Sequence, residues 1–253
     1  MEKITGEFHR ELEAAAASIR RANAVVVLTG AGVSAESGLP TFRSGQDGMW
    51  QTEDVRNFAY PDGYRRNAAR AWEWYAHRAA AAARAMPNAA HHALADLERR
   101  VREFLLITQN IDGLHQRAGS RTVLELHGNL LRTRCFGCET LGTWPEPLTA
   151  PVCESCGGLR RPDVVFFQED LPVRAMARAQ AAALDCDVLI SVGTSNVVWP
   201  AAEIPQYALS GGAEVLIVNT EMRGQLEGNH VSHLHGPAGE VLPRLLELAW
   251  PQG

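Results

Sequence analysis

Five continuous apolar runs punctuate the chain: "AVVVLTG" (24–30), "FLLITQN" (104–110), "TVLELHG" (122–128), "CDVLISVG" (186–193) and "AEVLIVN" (213–219). Most lack polar alternation, and each closes on glycine or a polar residue, the pattern of a strand buried on both faces of a parallel sheet. Between them, residues 5–21, 66–85, 88–102, 174–184, 201–210 and 238–249 read as helices, several of them rich in alanine, the strongest helix former. Strands alternating with helices predict an α/β fold, a parallel sheet covered on both faces. Two segments break the alternation. Residues 41–103 hold only loop and helix, and residues 131–166 hold paired cysteines. Both read as insertions that form a second, smaller domain.

Composition narrows the picture. The chain has 253 residues, 46% hydrophobic and 21% charged, with a net charge of −5, which is ordinary globular composition. The acidic balance and the lack of a clustered basic run argue against nucleic acid as a partner. No apolar run approaches the ~18 residues of a membrane span, and "MEKITGEFHRELEAAAASIRRAN" has no signal-peptide core. The expected setting is cytoplasmic, with no membrane partner. Four of the five cysteines fall in the pairs "CFGC" (135–138) and "CESC" (153–156). That spacing points to one structural Zn2+ held by Cys135, Cys138, Cys153 and Cys156, with no open position for chemistry; redox-active or unligated cysteines are the alternative. Cys186, at the start of a buried run, reads as a small core residue.

The first apolar run leads into "LTGAGVSAESGLPTFRS", where Gly30, Gly32 and Ala35 satisfy G-x-G-x-x-A. Such glycines let a backbone turn tightly and approach a pyrophosphate, with a helix N-terminus behind them supplying N–H donors. A dehydrogenase fingerprint needs a second strand about 20 residues on, ending in an acidic residue. Here the corresponding "MWQTEDVRNF" reads as loop, which argues against hydride transfer. Ribose contacts must then come from Asn219 and Glu221 or from "GTS" (193–195), at the ends of the last two apolar runs.

Apolar runs that end in "TQNIDGLH" and "ELHG" place Gln109, Asn110, Asp112 and His127 where the sheet meets the glycine loop. A lone histidine after a strand is most often structural. Four polar groups at neighbouring strand ends facing a dinucleotide loop point instead to catalysis, with His127 as the candidate general base.

The motifs "GAGVSAESGLPTFRS", "TQNIDGLHQRAG", "HG", two cysteine knuckles, "GTS" and "VNTE" occur in the order found in sirtuins. The chain resembles that family, NAD-dependent protein-lysine deacylases, from about residue 20 to its end. The resemblance implies a discontinuous Rossmann-type NAD-binding domain (1–40, 104–130 and 167–253), a cofactor loop and helical insertion (41–103) and a zinc-ribbon module (131–166). It implies that acyl-lysine proteins are the substrates, that the acyl oxygen attacks the nicotinamide ribose as nicotinamide leaves, and that free lysine and O-acyl-ADP-ribose result. His127 would be the base on the ribose hydroxyls, with Asn110 and Gln109 holding ribose and water. Asp112 and Ile111 would recognise the nicotinamide carboxamide. Gly30, Ala31, Gly32, Ser34, Ala35, Thr41, Phe42, Arg43 and Trp50 would belong to the cofactor site. So would Gly193, Thr194 and Ser195 at ribose or phosphate, Asn219, Thr220 and Glu221 at the adenosine ribose, and Ala238 at the adenine. Val165 and Phe166 would meet the substrate.

Two departures from the family pattern stand out: Thr41 where aspartate is frequent, and Gln168 in "VVFFQED" where the pattern has glycine. Threonine at 41 resembles one branch, in which a Tyr-x-x-Arg pair reads acidic acyl groups. Tyr75 and Arg78 in "WEWYAHR" have that spacing. Alone, such a pair is ordinary helix-surface decoration. In this company it implies desuccinylase and demalonylase activity, with deacetylase activity alongside. The alternatives are mono-ADP-ribosyl transfer or NAD hydrolysis on the same scaffold, and a zinc-ribbon nucleic-acid module.

Overall fold

The computed structural model describes residues 6–40, 53–146, 148–149, 151–195, 198–221 and 226–251. In chain order the elements are α1 (Gly6–Arg21), β1 (Ala24–Thr29), a 3-10 turn (Ala31–Ser37), α2 (Glu53–Phe58), α3 (Pro61–Arg66), α4 (Ala68–Arg84) and α5 (Ala89–Arg100). Then come β2 (Glu103–Thr108), α6 (Leu114–Arg117), β3 (Val123–Glu125), β4 (Gly128–Cys135), β5 (Leu141–Gly142) and β6 (Arg160–Val164). The chain ends with α7 (Val173–Asp185), β7 (Val188–Val192), α8 (Ile204–Ser210), β8 (Glu214–Asn219), β9 (Val231–His235) and α9 (Ala238–Ala249).

Six strands form one parallel sheet in the order β3-β2-β1-β7-β8-β9. Successive side chains of β1 point to opposite faces. Val25 and Val27 enter a core with Leu12, Ile19, Leu94, Leu97 and Leu245 of α1, α5 and α9. Val26 and Leu28 enter a second core with Ala179, Ala183, Ile204 and Ala208 of α7 and α8. Both faces are therefore covered, which is why the central runs carry no polar alternation.

The strand order reverses between β1 and β7. In an open parallel sheet the crevice at such a reversal, beyond the carboxyl ends of the strands, is where ligands bind. The register levels those ends: Thr29 pairs with Thr108 and Val192, Thr108 with Glu125, and Val192 with Val218. All the loops that carry site residues thus leave the sheet at one edge.

A smaller antiparallel sheet, β5-β4-β6, follows. Against it α2, α3 and α4 form a third core of Phe58, Tyr64, Ala71, Tyr75, Ala79, Leu130, Val164 and Phe166. Salt bridges link β4 to β6 and to the end of β3: Arg132 bonds Glu125 and Asp163, and Arg134 bonds Asp163.

Several local expectations are corrected. The segment 53–58, read as loop, is helix α2. The run at 122–128 yields only a three-residue strand, because the chain leaves the sheet at Leu126. The edge strand β9 was not foreseen. "VSHLH" carries two histidines, and an edge strand with exposed positions tolerates them. The element behind the glycine loop is a 3-10 turn ended by Gly38 at φ 77°, not an α-helix. No helix among the described residues is long and apolar enough to cross a membrane.

Candidate active site

The glycine loop and the loop after β7 are in contact at the sheet's reversal point. Gly30 N–H donates to the Val192 carbonyl at 3.0 Å, and Gly32 N–H to the Gly193 carbonyl at 2.8 Å. A Cβ on Gly30 would lie 2.8 Å from Thr194 Cα, and one on Gly32 would lie 2.6 Å from the Gly193 oxygen. Both glycines are thus required by the close approach of two backbones. The loops border one cavity of about 520 Å³.

A connected set of polar groups forms one wall. Asn110 donates to the Gly30 carbonyl at 3.1 Å and to Ser34 Oγ at 3.2 Å. Ser34 Oγ in turn donates to Asp112 at 2.8 Å. The other oxygen of Asp112 accepts the Leu114 N–H at 2.9 Å. Burial raises the Asp112 carboxyl above its ordinary range, with the Leu114 and Ser34 bonds opposing. Gln109 donates to Thr194 Oγ1 at 3.0 Å, and Asn219 donates to the Thr194 carbonyl at 2.9 Å.

His127 lines the same cavity, between β3 and β4. Its Nδ1 sits 2.8 Å from the Gln109 carbonyl. A carbonyl can only accept, so Nδ1 carries the proton and Nε2 holds the free lone pair. Burial lowers the His127 pKa below the ordinary histidine value, with the Gln109 bond opposing. The imidazole is therefore neutral near pH 7 and able to take a proton.

Behind this wall lie two fully buried histidines. His115 Nε2 is 2.9 Å from Thr29 Oγ1, which also bonds Thr108 at 2.8 Å. His91 Nε2 reaches Ser34 Oγ at 3.5 Å, and Asn88 binds its other side. Burial lowers His91 to about 4 and His115 to about 3.

The opposite wall is aromatic. Tyr75 and Arg78, one helical turn apart on α4, both line the cavity. Tyr75 is buried, stacked on Phe166 at a ring distance of 5.8 Å, and its hydroxyl makes no hydrogen bond to the described residues. Burial raises its pKa further from neutrality, so it remains a donor. The Arg78 guanidinium lies over the Trp74 ring, 3.0 Å from its centroid. Val165 and Phe166 follow β6; Val165 N–H donates to the His127 carbonyl at 2.9 Å, joining the two walls. Buried Arg161 lies over the Phe166 ring at 3.6 Å and forks onto both oxygens of Glu169.

The four sulfurs of Cys135, Cys138, Cys153 and Cys156 lie within 4.8 Å of one another, with Cys135 3.5 Å from Cys156 and Cys138 3.7 Å from Cys153. A tetrahedral Zn2+ with Zn–S bonds of about 2.3 Å fits such a set. Gly137 N–H donates to Cys135 Sγ at 3.3 Å, as a metal-binding knuckle does. Four thiolates leave no position for substrate, so the ion is structural. Cys186 is buried in the core beneath α7 and α8.

Of the residues expected from sequence, Gly30, Ala31, Gly32, Ser34, Gln109, Asn110, Ile111, Asp112, His127, Gly193, Thr194, Ser195, Asn219, Thr220 and Glu221 border this one cavity, together with Tyr75, Arg78, Val165 and Phe166. Ala35 and Ala238 do not border it; Ala35 is exposed and Ala238 is buried at the start of α9. Thr41, Phe42, Arg43 and Trp50 lie outside the described residues. The sequence reading missed Leu130, Phe167, Val198 and Trp199, which also line the cavity. Only "VVWP", an aromatic beside proline just after a strand-end loop, offered a signal for the last two. It also missed His91, although His91 falls on the apolar stripe of α5 with Leu94 and Ala95.

The Sir2 family model matches residues 30–200. A protein named NAD-dependent protein deacylase from Aquifex aeolicus is 50% identical over 78% of this chain and 83% of its own length. NAD-dependent protein deacylase 1 of Pseudomonas aeruginosa is 47% identical over 91% of this chain and 96% of its own. A crystal structure of a Sir2 homolog–NAD complex superposes with a TM-score of 0.86 at 40% identity, covering 94% of this chain and 93% of that one. This chain belongs to the Sir2 family.

Proposed function

We propose that this protein is an NAD-dependent protein-lysine deacylase that acts on succinyl- and malonyl-lysine, with acetyl-lysine as a further substrate. The enzyme class rests on Sir2 membership and on relatives carrying that name. The acyl preference is supported by one observation: Tyr75 and Arg78 border the same cavity as His127. A carboxylate moved out of water without a partner is costly. A guanidinium fork and a phenol hydroxyl supply that partner, and bidentate Arg–carboxylate pairing is strong and directional.

NAD supplies an activated glycosidic bond whose nicotinamide can leave. The glycine loop and the Gly193–Ser195 loop meet at the sheet's reversal point and form the floor of its site. Ser34, Asn110 and Asp112 offer a buried carboxyl, amide and hydroxyl in one connected set, suited to a carboxamide and a ribose. His127, with Nδ1 held by Gln109, presents Nε2 to take a ribose hydroxyl proton. Phe166 and Tyr75 exclude water from the acyl end. Free lysine and O-acyl-ADP-ribose are the expected products.

The test is a panel of acetyl-, malonyl- and succinyl-lysine peptides with NAD, products read by mass spectrometry. NAD-dependent loss of the acidic acyl groups with O-acyl-ADP-ribose formation is expected. ADP-ribosylated peptide, or ADP-ribose without acyl transfer, would replace the reading with ADP-ribosyl transfer or NAD hydrolysis.

A further inference from the structure

The loop that follows β6 holds a side chain where the backbone favours glycine. Gln168 has φ 70°, in the left-handed region that L side chains adopt only at a cost. Its backbone is fixed from both sides. Phe167 N–H donates to the Ala59 carbonyl at 2.9 Å, and Glu169 is clamped by Arg161 and by the Phe166 N–H at 2.8 Å. The Gln168 side chain is exposed, makes no hydrogen bond to the described residues, and lines the mouth of the cavity. Three large exposed apolar groups line the same cavity, Phe167 at 39% exposure, Val198 at 38% and Trp199 at 69%, while the other exposed polar residues of the lining, Thr220 and Glu221, follow β8. A strained position that carries an exposed carboxamide next to apolar Phe167 is a candidate for function rather than packing.

We propose that Gln168 is a specificity-determining residue: its carboxamide hydrogen-bonds a polar side chain of the substrate polypeptide next to the acyl-lysine. The acylated side chain occupies the cavity, so the residues flanking it must pass the rim that Phe167, Gln168 and Trp199 form. A carboxamide donates and accepts, and therefore suits Asn, Gln, Ser or Asp on the substrate. Phe167 and Trp199 hold the apolar part of the same segment. The protein accordingly selects acyl-lysines with a polar neighbour over those with an aliphatic one. This inference rests on the deacylase reading for its substrate, not for its binding measurement.

The experiment compares two acyl-lysine peptides that differ only in the flanking residue, Gln or Leu, across wild type, Gln168→Gly and Gln168→Asn. Both kcat/KM and direct binding by fluorescence anisotropy are measured. Wild type should favour the Gln peptide about fivefold, the worth of one net hydrogen bond. Gln168→Gly suits the backbone, so it should fold with an unchanged or higher Tm, and the preference should fall to about onefold. Gln168→Asn keeps the carboxamide and tolerates the left-handed region, and should keep part of the preference. NAD KM should not move. An equal change on both peptides, or an undiminished preference in Gln168→Gly, overturns the proposal. If no turnover occurs but the binding preference appears and is lost in Gln168→Gly, the deacylase reading fails and this one stands. If neither measurement shows a preference in wild type, this one fails alone.

Discussion

On one wall of the cavity, Ser34, Asn110, Asp112 and His127 are held by hydrogen bonds to one another and to the backbone of the sheet's own loops. On the other, Tyr75, Trp74, Arg78 and Phe166 are held by ring contacts within a separate small core. The first wall inherits its geometry from strand register and tolerates little change. The second combines one face of α4 with the segment after β6, and its rings are set chiefly by packing. On the function proposed above, the chemistry would sit on the part of the molecule with the fewest degrees of freedom, and the choice of acyl group on a part that can vary without disturbing it.

The sharpest way to break that comparison is to remove the metal beside the second wall. Replacing Cys135 or Cys156 with serine should abolish zinc content and deacylation. A structural zinc contributes about 10–16 kcal/mol of apparent folding free energy in small zinc peptides, and β6, which leads into Val165 and Phe166, pairs with the strand that ends at Cys135. Metal analysis and limited proteolysis read the outcome; zinc-free, fully active protein would contradict it.

His127→Ala acts on the first wall alone. It should lower kcat by ~10²–10⁴-fold on every acyl group equally, the usual worth of a general base, with NAD binding kept. Arg78→Met acts on the second wall alone. It should cost ~1.5–3 kcal/mol in kcat/KM on succinyl- and malonyl-lysine, the worth of a charged hydrogen bond, and change acetyl-lysine turnover far less. Equal losses on all three acyl groups would make Arg78 structural and merge the two walls.

Acid separates the walls more gently. His91 and His115 lie behind the first wall, and burial holds them near 4 and 3. Between about pH 6.5 and pH 4 the unfolded chain binds protons there that the folded chain refuses, so stability falls as pH falls through that window. Asp112, raised by burial, works in the opposite sense, while His127, lowered by burial, adds to the loss. A net loss of about 2–4 kcal/mol from pH 7 to pH 5 is expected at about 1.4 kcal/mol per unit per histidine. Denaturant unfolding at the two pH values measures it. Leu in place of both histidines should flatten the profile.

The apolar runs and the glycine and cysteine motifs carried the sheet, the metal set and most of the first wall, because each depends on local sequence. Continuous valine and leucine leave a strand no exposed face, and C-x-x-C positions two sulfurs whatever surrounds it. The edge strand β9 was invisible because an edge pairs on one side only and so accepts polar residues. The 3-10 turn after Gly30 was hidden because its geometry follows from contact with Gly193, far away in the chain. Ala35, part of the glycine fingerprint, turned out to face solvent for the same reason.

What the sequence determined by itself is the list of chemical groups and the order in which strands deliver them. What only the tertiary structure decided is which of those groups meet. Tyr75 and Arg78 share a helix face by their spacing, and sequence can say no more of them than that. Their placement opposite His127 depends on α4 packing over β4 and β6. The left-handed backbone at Gln168 exists only because Phe167 and Glu169 are tied to Ala59 and Arg161. Contacts between residues distant in the chain form when buried surfaces fit, and a local pattern does not encode that fit.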